Sequence, residues 1–288
     1  MIVDAHQHFW NLEREQLPWM RDEHDLIRRT FLPTDLEPLL APSGVSRTVL
    51  VQAACSDSDT EFLFECASRH DWVGGVIAWL DLRSPERAGR RLEELAERPK
   101  LRGLRHLIHD EEDPHWILRD PVLESLALLE QHALILELPC VFPHHLGDVP
   151  ELASVFPAMT IVIDHLAKPP LRRDEMARWE AALRAAASHE NVAAKISGLN
   201  TTLGPDWGAE HLREAIEVAV DAFGPDRLVC GSDWPVALMN GDYAKVWRET
   251  TRAIEDVAPQ HAEQLLSQTA LRLYDLAGTT APPPGGPS

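Results

Sequence analysis

Two histidines separated by a single residue, His6 and His8, follow a short apolar segment at the start of the chain. Alternate residues of a β-strand project from the same face, so both imidazoles can point toward one place. A lone histidine is often a packing or surface residue, but two on one face beside Asp4 favour a functional role. Imidazole and carboxylate groups suit zinc or another divalent ion. The pair predicts a site that is completed by groups from elsewhere in the chain.

Two further polar residues stand at the ends of apolar segments. His165 follows Asp164 and the segment 160–163, and Asp233 follows the segment 228–231. Asp233 is a candidate metal ligand or general base for an attacking water, although aspartate is also common in ordinary turns. His165 is a candidate ligand, or a group that holds the water or the departing oxygen, while Asp164 is a candidate to orient an imidazole. We expect His165 and Asp233 to lie beside the histidine pair in one pocket.

The fourth apolar segment ends in a basic pair, Arg105 and His106. A guanidinium offers a planar fork of donors that suits carboxylates and polarised carbonyls, so the pair is a candidate for catalysis and substrate binding. A structural salt bridge is the alternative. Only one of the two needs to face the interior, because side chains alternate along a strand. Trp19 and Trp234 are candidate stacking surfaces for a substrate ring, with ordinary packing as the alternative.

Other ionisable residues carry weaker indications. Lys195 is a charge inside an apolar segment and is expected to be paired. His109, His115, His144 and His145 lie in apparent loops, where a solvated surface position is expected.

Short apolar segments alternate with helical patterns along the whole chain. They cover 2–5, 48–53, 73–80, 101–107, 134–138, 160–163, 192–196 and 228–231. Such segments are typical of strands buried on both faces of a parallel sheet. Ser58 and Glu61 have capping-box spacing at the start of one helix, and another helix is predicted over 260–277. Eight such units predict an α/β fold closed into a (β/α)8 TIM barrel, with the polar strand ends at one mouth. An open doubly wound sheet is the alternative, but no glycine-rich turn follows the first strand.

Length and composition favour one large domain. The chain has 288 residues, 44% of them hydrophobic, and no linker divides it. We predict a single domain over 1–278 and a disordered tail over 279–288, which is rich in proline and glycine. The long connection 9–33 is a predicted lid over the barrel mouth.

Charge and cysteine content restrict the partners and the location. A net charge of −19 argues against nucleic acid, whose phosphates need a positive surface. Four scattered cysteines without a C-x-x-C pair are interpreted as buried free thiols in a reducing compartment. With no signal peptide and no bilayer-length apolar segment, we expect a cytoplasmic protein without a membrane partner. A homo-oligomer is left open.

Three common catalytic motifs are absent from the sequence: the G-x-S-x-G elbow, the P-loop and the dinucleotide fingerprint. Serine hydrolase, kinase and dehydrogenase interpretations are therefore disfavoured.

Six short sequence stretches are each weak evidence for a family when taken alone, but their occurrence in this order is highly specific. They lie at 4–10, 17–19, 102–106, 164–169, 195–199 and 231–235. With them the chain resembles the amidohydrolase superfamily, in the branch that contains sugar lactonases such as L-fuconolactonase and L-rhamnonolactonase. The resemblance implies a TIM-barrel hydrolase acting on a small molecule. It implies four active-site residues, His6, His8, His165 and Asp233.

The resemblance also bears on the metal. Binuclear members of the superfamily carry a carboxylated lysine on the fourth strand, where this chain has Arg105 and His106, so a two-metal centre is not expected. Many mononuclear relatives use a histidine at the end of the fifth strand, where Glu137 and Cys140 stand here. Some lactone-hydrolysing relatives work without a metal. Two alternatives remain. Either the four residues above hold a single divalent ion, which the ligand types suggest is zinc, or the site works without a metal.

We expect the protein to hydrolyse a sugar-derived or related small lactone, and so to act in carbohydrate metabolism. In this hypothesis Asp233 deprotonates water, Arg105 or His106 polarises the ring carbonyl, and His165 stabilises the tetrahedral oxyanion. A metal-dependent decarboxylase of the same superfamily is the alternative enzyme, against which the missing fifth-strand histidine argues. A non-catalytic barrel that binds sugar acids is the third hypothesis.

Overall fold

Parallel strands alternate with helices throughout residues 1–171 and 175–276, the part of the chain that the computed structural model describes. The strands are β1 (Ile2–Gln7), β2 (Val45–Val51), β3 (Val73–Ala78), β4 (Leu101–Arg105), β5 (Ile135–Leu138), β6 (Ile161–Ile163), β7 (Val192–Ile196) and β8 (Leu228–Cys230). The helices are α1 (Pro33–Leu40), α2 (Asp57–Arg69), α3 (Pro85–Ala96), α4 (Asp120–Gln131), α5 (Val149–Val155), α6 (Met176–Ala187), α7 (Arg213–Phe223), α8 (Tyr243–Val257) and α9 (Thr269–Leu273). Short 3₁₀ turns lie between them, and a π-helical turn, Gln264–Gln268, precedes α9.

The strands form one sheet in the order of the sequence, and each neighbouring pair is parallel. Backbone bonds then connect the end of β8 to β1. The amide of Asp233 donates to the carbonyl of His6 at 2.8 Å, and the amide of His8 donates to the carbonyl of Trp234 at 2.7 Å. The predicted (β/α)8 barrel is therefore confirmed, and the open sheet was the wrong alternative.

A buried carboxylate fastens this closure. Asp4 accepts hydrogen bonds from the Ser232 amide at 2.8 Å, the Ser232 hydroxyl at 2.6 Å and the Tyr243 hydroxyl at 2.9 Å. Burial raises the pKa of Asp4 to about 6, against the lowering effect of these donors. The aspartate beside the histidine pair thus connects the first strand to the last.

The element boundaries differ from the predictions in places. Helix α2 is capped by Ser56 rather than Ser58, because Ser56 has the extended backbone of a cap and its hydroxyl accepts from the Asp59 amide at 3.0 Å. The helix predicted over 260–277 is divided by the π-helical turn. The predicted tail, 279–288, lies outside the described residues, and the single domain over 1–278 stays a prediction.

The lower end of the barrel is filled by the C-terminal segment. Tyr274 is fully buried among apolar strand residues such as Val49 and Val162. Its hydroxyl donates to Glu137 Oε1 at 2.8 Å, and Lys195 Nζ donates to Glu137 Oε2 at 2.6 Å. Tyr274 therefore satisfies one oxygen of a carboxylate that water does not reach.

The cysteine prediction holds for three of the four thiols. Cys66, Cys140 and Cys230 are buried and Cys55 is exposed, and none of them forms a disulfide. Among the described residues, no helix has both the length and the apolar character that crossing a membrane would take.

Replacing Tyr274 with phenylalanine should lower the free energy of unfolding by about 1–3 kcal/mol, because Glu137 Oε1 would lose its buried donor. Urea unfolding measures the change. The control is Ser154→Ala, which removes an exposed hydroxyl bonded to the Pro150 carbonyl and should change the free energy by less than about 0.5 kcal/mol. Equal stability of Tyr274→Phe and the wild-type protein would contradict a structural role for this bond.

Candidate active site

Four predicted residues meet at the mouth of the barrel. His6 Nε2 lies 3.1 Å from His8 Nε2 and 3.7 Å from Asp233 Oδ1, and His8 Nε2 lies 3.4 Å from the same oxygen. The rings of His6 and His165 have centroids 4.6 Å apart. All four side chains are buried. They come from β1 and the residue directly after it, from the turn after β6 and from the turn after β8, so barrel closure brings them together.

Backbone carbonyls orient two of the imidazoles. His8 Nδ1 lies 2.8 Å from the Val51 carbonyl, and His165 Nδ1 lies 3.2 Å from the Ser197 carbonyl and 2.9 Å from the Ser197 hydroxyl. A carbonyl only accepts, so this geometry places the proton on Nδ1 of both rings. The Nε2 lone pairs are thereby left for a metal ion or a proton donor.

Asp233 is held as an anion by its neighbours. Burial alone would raise its pKa, but His165, His8 and His6 bring the pKa well below its usual range. Burial lowers the pKa of His6 and of His165. At neutral pH the site therefore combines an ionised carboxylate with neutral imidazoles at His6 and His165.

Beneath the site, opposite charges are paired inside the barrel. Arg105 Nε donates to Asp164 Oδ2 at 2.7 Å, and Lys195 Nζ donates to Glu137 Oε2 at 2.6 Å. Lys195 Nζ also lies 3.1 Å from His6 Nδ1 and 3.5 Å from Asp164 Oδ1. Burial would raise the pKa of Asp164, but His6, Lys195 and Arg105 bring it well below its usual range. The predicted pairing of Lys195 is confirmed.

The side chains present suit a divalent ion. His6, His165 and Asp233 can each turn a ligand atom toward a common point, with His8 Nε2 beside them. Asp164 Oδ1 is buried without a hydrogen-bond partner and lies 3.4 Å from His6 Nδ1. It can accept a hydrogen bond from the Nδ1–H group when His6 Nε2 binds an ion. The opposite tautomer also has partners, since Lys195 can donate to Nδ1 and His6 Nε2 to His8. These residues therefore fit a metal ion and also form a network without one.

A second group of possible ligands, His6, Glu137 and Asp164, faces a lysine instead. The Lys195 ammonium lies within 3.5 Å of an oxygen or nitrogen of each of these side chains. Its positive charge compensates the two carboxylates.

An open cavity of about 360 Å³ lies above the four residues. The predicted lid 9–33 contributes several of the residues that line it. The lining consists of His8, Trp19, Arg21, Glu23, His24, Ala53, Arg105, Leu107, His109, Asp110, His165, Lys168, Thr201, Asp233 and Val236.

Two residues predicted to contact the substrate, His106 and Trp234, do not line the cavity. His106 does not line the cavity, because Trp79 Nε1 donates to its Nδ1, its Nε2 contacts Glu111 and its ring stacks on Trp116. Of the basic pair, Arg105 is the one that faces the cavity. Trp234 is buried against aromatic rings of the loop 9–33, whereas Trp19 does line the cavity.

Several lining residues were not singled out by sequence reasoning. His109, expected on the surface, lines the cavity, and burial lowers its pKa to about 3. Lys168 lies in the same stretch as His165, but its orientation depends on a turn in which His165, Leu166, Ala167 and Lys168 all have positive φ. Residue types alone do not signal such a turn, because non-glycine residues rarely adopt this conformation.

Comparison with known proteins agrees with this architecture. The sequence model of the amidohydrolase family matches residues 3–276. The chain is 41% identical over 242 residues to an L-fucono-1,5-lactonase of Burkholderia ambifaria, covering 84% of this chain and 82% of the relative. It is 34% identical over 288 residues to an L-fucono-1,5-lactonase of Burkholderia multivorans, covering 95% and 96%.

A crystal structure of an amidohydrolase from Burkholderia multivorans with bound zinc superposes with a TM-score of 0.86 at 33% identity, covering 96% of this chain and 99% of that one. The match of the family's sequence model over nearly the whole described chain, and the two lactonase relatives, establish the relationship. The chain belongs to the amidohydrolase family.

Proposed function

We propose that this protein hydrolyses the lactone of a sugar acid, with L-fucono-1,5-lactone as the first substrate to test. The observation that carries the proposal is the ionised, buried carboxylate of Asp233 among three imidazoles at the floor of an open cavity. The two lactonase relatives support lactone hydrolysis over decarboxylation. The four unpaired cysteines support a reducing, cytoplasmic location, and the substrate class supports a role in carbohydrate metabolism.

In the proposed reaction Asp233 acts as the general base. Its carboxylate takes a proton from water while the water oxygen bonds to the ring carbonyl carbon. The ring carbon–oxygen bond then breaks, and the proton passes from Asp233 to the released ring oxygen. The product acid loses its proton to solvent and leaves as a carboxylate. Asp233 ends the cycle ionised, as it began.

Arg105 and His165 have separate tasks in this reaction. Arg105 Nε and Nη1 are fixed by Asp164 and by the Gln52 carbonyl, so the side chain is held rigidly at the cavity, where it polarises the substrate carbonyl. His165 has its proton directed at Ser197, which leaves Nε2 to accept from the water. This arrangement favours the water-holding alternative for His165 over oxyanion stabilisation.

We further propose that His6, His8, His165 and Asp233 hold one divalent ion, zinc in the first place. The convergence of their ligand atoms supports this, as does the zinc in the related structure. A bound ion supplies Lewis-acid polarisation of the carbonyl. The protein's own part is to keep His8 in one tautomer through the Val51 carbonyl and Asp233 ionised.

Gly198 makes room for these groups. It has a φ of +60°, and a β-carbon at this position would lie 2.5 Å from Asp233 Oδ2 and 2.8 Å from His165 Nδ1. Any larger residue must therefore displace one of these side chains.

Asp233→Asn should lower kcat/KM by at least about a hundredfold, because an amide does not take a proton from water. The lactone is assayed by acid release with a pH indicator. Asp221→Asn, which removes an exposed carboxylate of α7, is the control and should keep its activity. Near wild-type turnover by Asp233→Asn would refute the assignment of the base.

Gly198→Ala should lower activity by about a hundredfold, the effect expected for catalytic groups misplaced by about 1 Å. Gly44→Ala is the matched control, because Gly44 has the same left-handed backbone, with φ of +73° and ψ of 10°. A β-carbon there would make only an ordinary contact with Ile2 Cδ1 at 3.8 Å. Both variants should lose about 1–2 kcal/mol of unfolding free energy through backbone strain, but only Gly198→Ala should lose activity. Similar activity losses in both would show that strain, rather than displacement, is responsible.

Zinc added to chelator-treated protein should raise Tm, since an ion that binds only the folded state stabilises it. The rise should shrink strongly in His8→Asn and persist in His115→Asn, which alters a histidine paired with Asp148 outside the cavity. Calorimetric scans provide the measurement. A wild-type Tm that does not respond to zinc would contradict the proposed ion site.

A further inference from the structure

Lys168 occupies an unusual position among the lysines of the chain. It lines the cavity together with Asp233, His165 and Arg105. Its ammonium has no hydrogen bond or ion pair with any side chain or carbonyl in residues 1–171 and 175–276. The other lysines are engaged, as a list of their partners shows: Lys100 with the Ala67 and His70 carbonyls, Lys195 with Glu137 and His6, and Lys245 with the Pro205 carbonyl.

The turn after β6 holds Lys168 at this place. Its amide donates to the His165 carbonyl at 2.9 Å, and the residues from His165 to Lys168 all have positive φ. Such a backbone is costly for residues with a β-carbon, so the surrounding structure must enforce it. The same strained turn therefore sets both His165 and Lys168 against the cavity.

Charges of both signs surround the Lys168 ammonium. Lys168 is exposed to solvent at the cavity; partial desolvation lowers its pKa, Arg105 adds to this, and Asp233 and Asp110 oppose it. Three cationic side chains, Arg21, Arg105 and Lys168, line the cavity, together with the carboxylates of Glu23, Asp110 and Asp233. The carboxylate of Asp164 already neutralises Arg105, whereas the charge of Lys168 is not matched by a direct partner.

The proposed reaction creates an anion at this place. A lactone is neutral, its carbonyl oxygen becomes negative when water adds, and the product retains that charge as a carboxylate. We propose that Lys168, beside Arg105, binds this oxygen, first as the oxyanion and then as the carboxylate of the open-chain sugar acid. This inference rests on the proposed lactonase function and adds a catalytic residue to it.

The proposal has a kinetic signature. Because the charge appears only after the neutral substrate has bound, loss of Lys168 should lower kcat and leave KM nearly unchanged. It should also weaken product binding, since the product carries the full charge. A residue that merely shapes the cavity would affect neutral and charged ligands alike.

The test compares two ligands that differ in charge. L-fuconate is the acid released from L-fucono-1,5-lactone, and L-fucitol is its neutral alcohol counterpart. Lys168→Gln should bind L-fuconate about ten- to a hundredfold more weakly than the wild-type protein, as expected for a lost bond to a charged group. Its affinity for L-fucitol should change less than about twofold. Isothermal calorimetry measures both affinities.

Two further variants separate local charge from other effects. Lys168→Arg keeps the charge and should restore most of the L-fuconate affinity. Lys245→Gln removes the same charge from the outside of the barrel and should bind both ligands as the wild-type protein does. Each variant keeps a β-carbon at its position, so none adds backbone strain.

Three outcomes would overturn the proposal: unchanged L-fuconate affinity in Lys168→Gln, equal loss of both ligands, or a wild-type protein that hydrolyses the lactone without measurable affinity for L-fuconate. Failure of the lactonase function itself would appear separately, as absence of acid release by the wild-type protein across a panel of lactones.

Discussion

Charge pairing inside the barrel is the constraint on which the active site depends. Arg105, Glu137, Asp164 and Lys195 are all buried, and each lies against a group of opposite charge. Removing one partner of a buried pair typically costs about 3–5 kcal/mol, because the other charge is left without compensation. Through Lys195 and Asp164 the same network reaches Nδ1 of His6. The same buried charges therefore stabilise the barrel and orient the His6 imidazole.

Backbone conformation also positions the active-site side chains. The turns that present His165 and Asp233 adopt positive φ at residues other than glycine, and Gly198 leaves space between them. Such strain persists only where the surrounding packing enforces it. The rigid barrel thus holds groups at angles that an isolated loop would not keep, which is the condition for a preorganised site.

The barrel fold and the four residues that meet at its mouth could be predicted from the sequence, because both follow from periodic patterns. Apolar segments predict the strands, and polar residues at their ends must meet when parallel strands close. Where several residues compete locally, the pattern is ambiguous: Ser56 and Ser58 are both plausible caps, and Arg105 and His106 are neighbours on opposite faces of one strand end. The position of Lys168 at the cavity was not predicted, because the direction of its side chain depends on a left-handed backbone that no residue type in the turn specifies.

Closure between β8 and β1 has a consequence for how activity arises during folding. The histidine pair lies at the end of the first strand and Asp233 follows the last, so these groups are far apart until the two ends of the sheet join. Contacts of such large sequence separation form late and slowly. A growing or partly folded chain therefore has no catalytic centre, and turnover begins only when the ring of strands is complete.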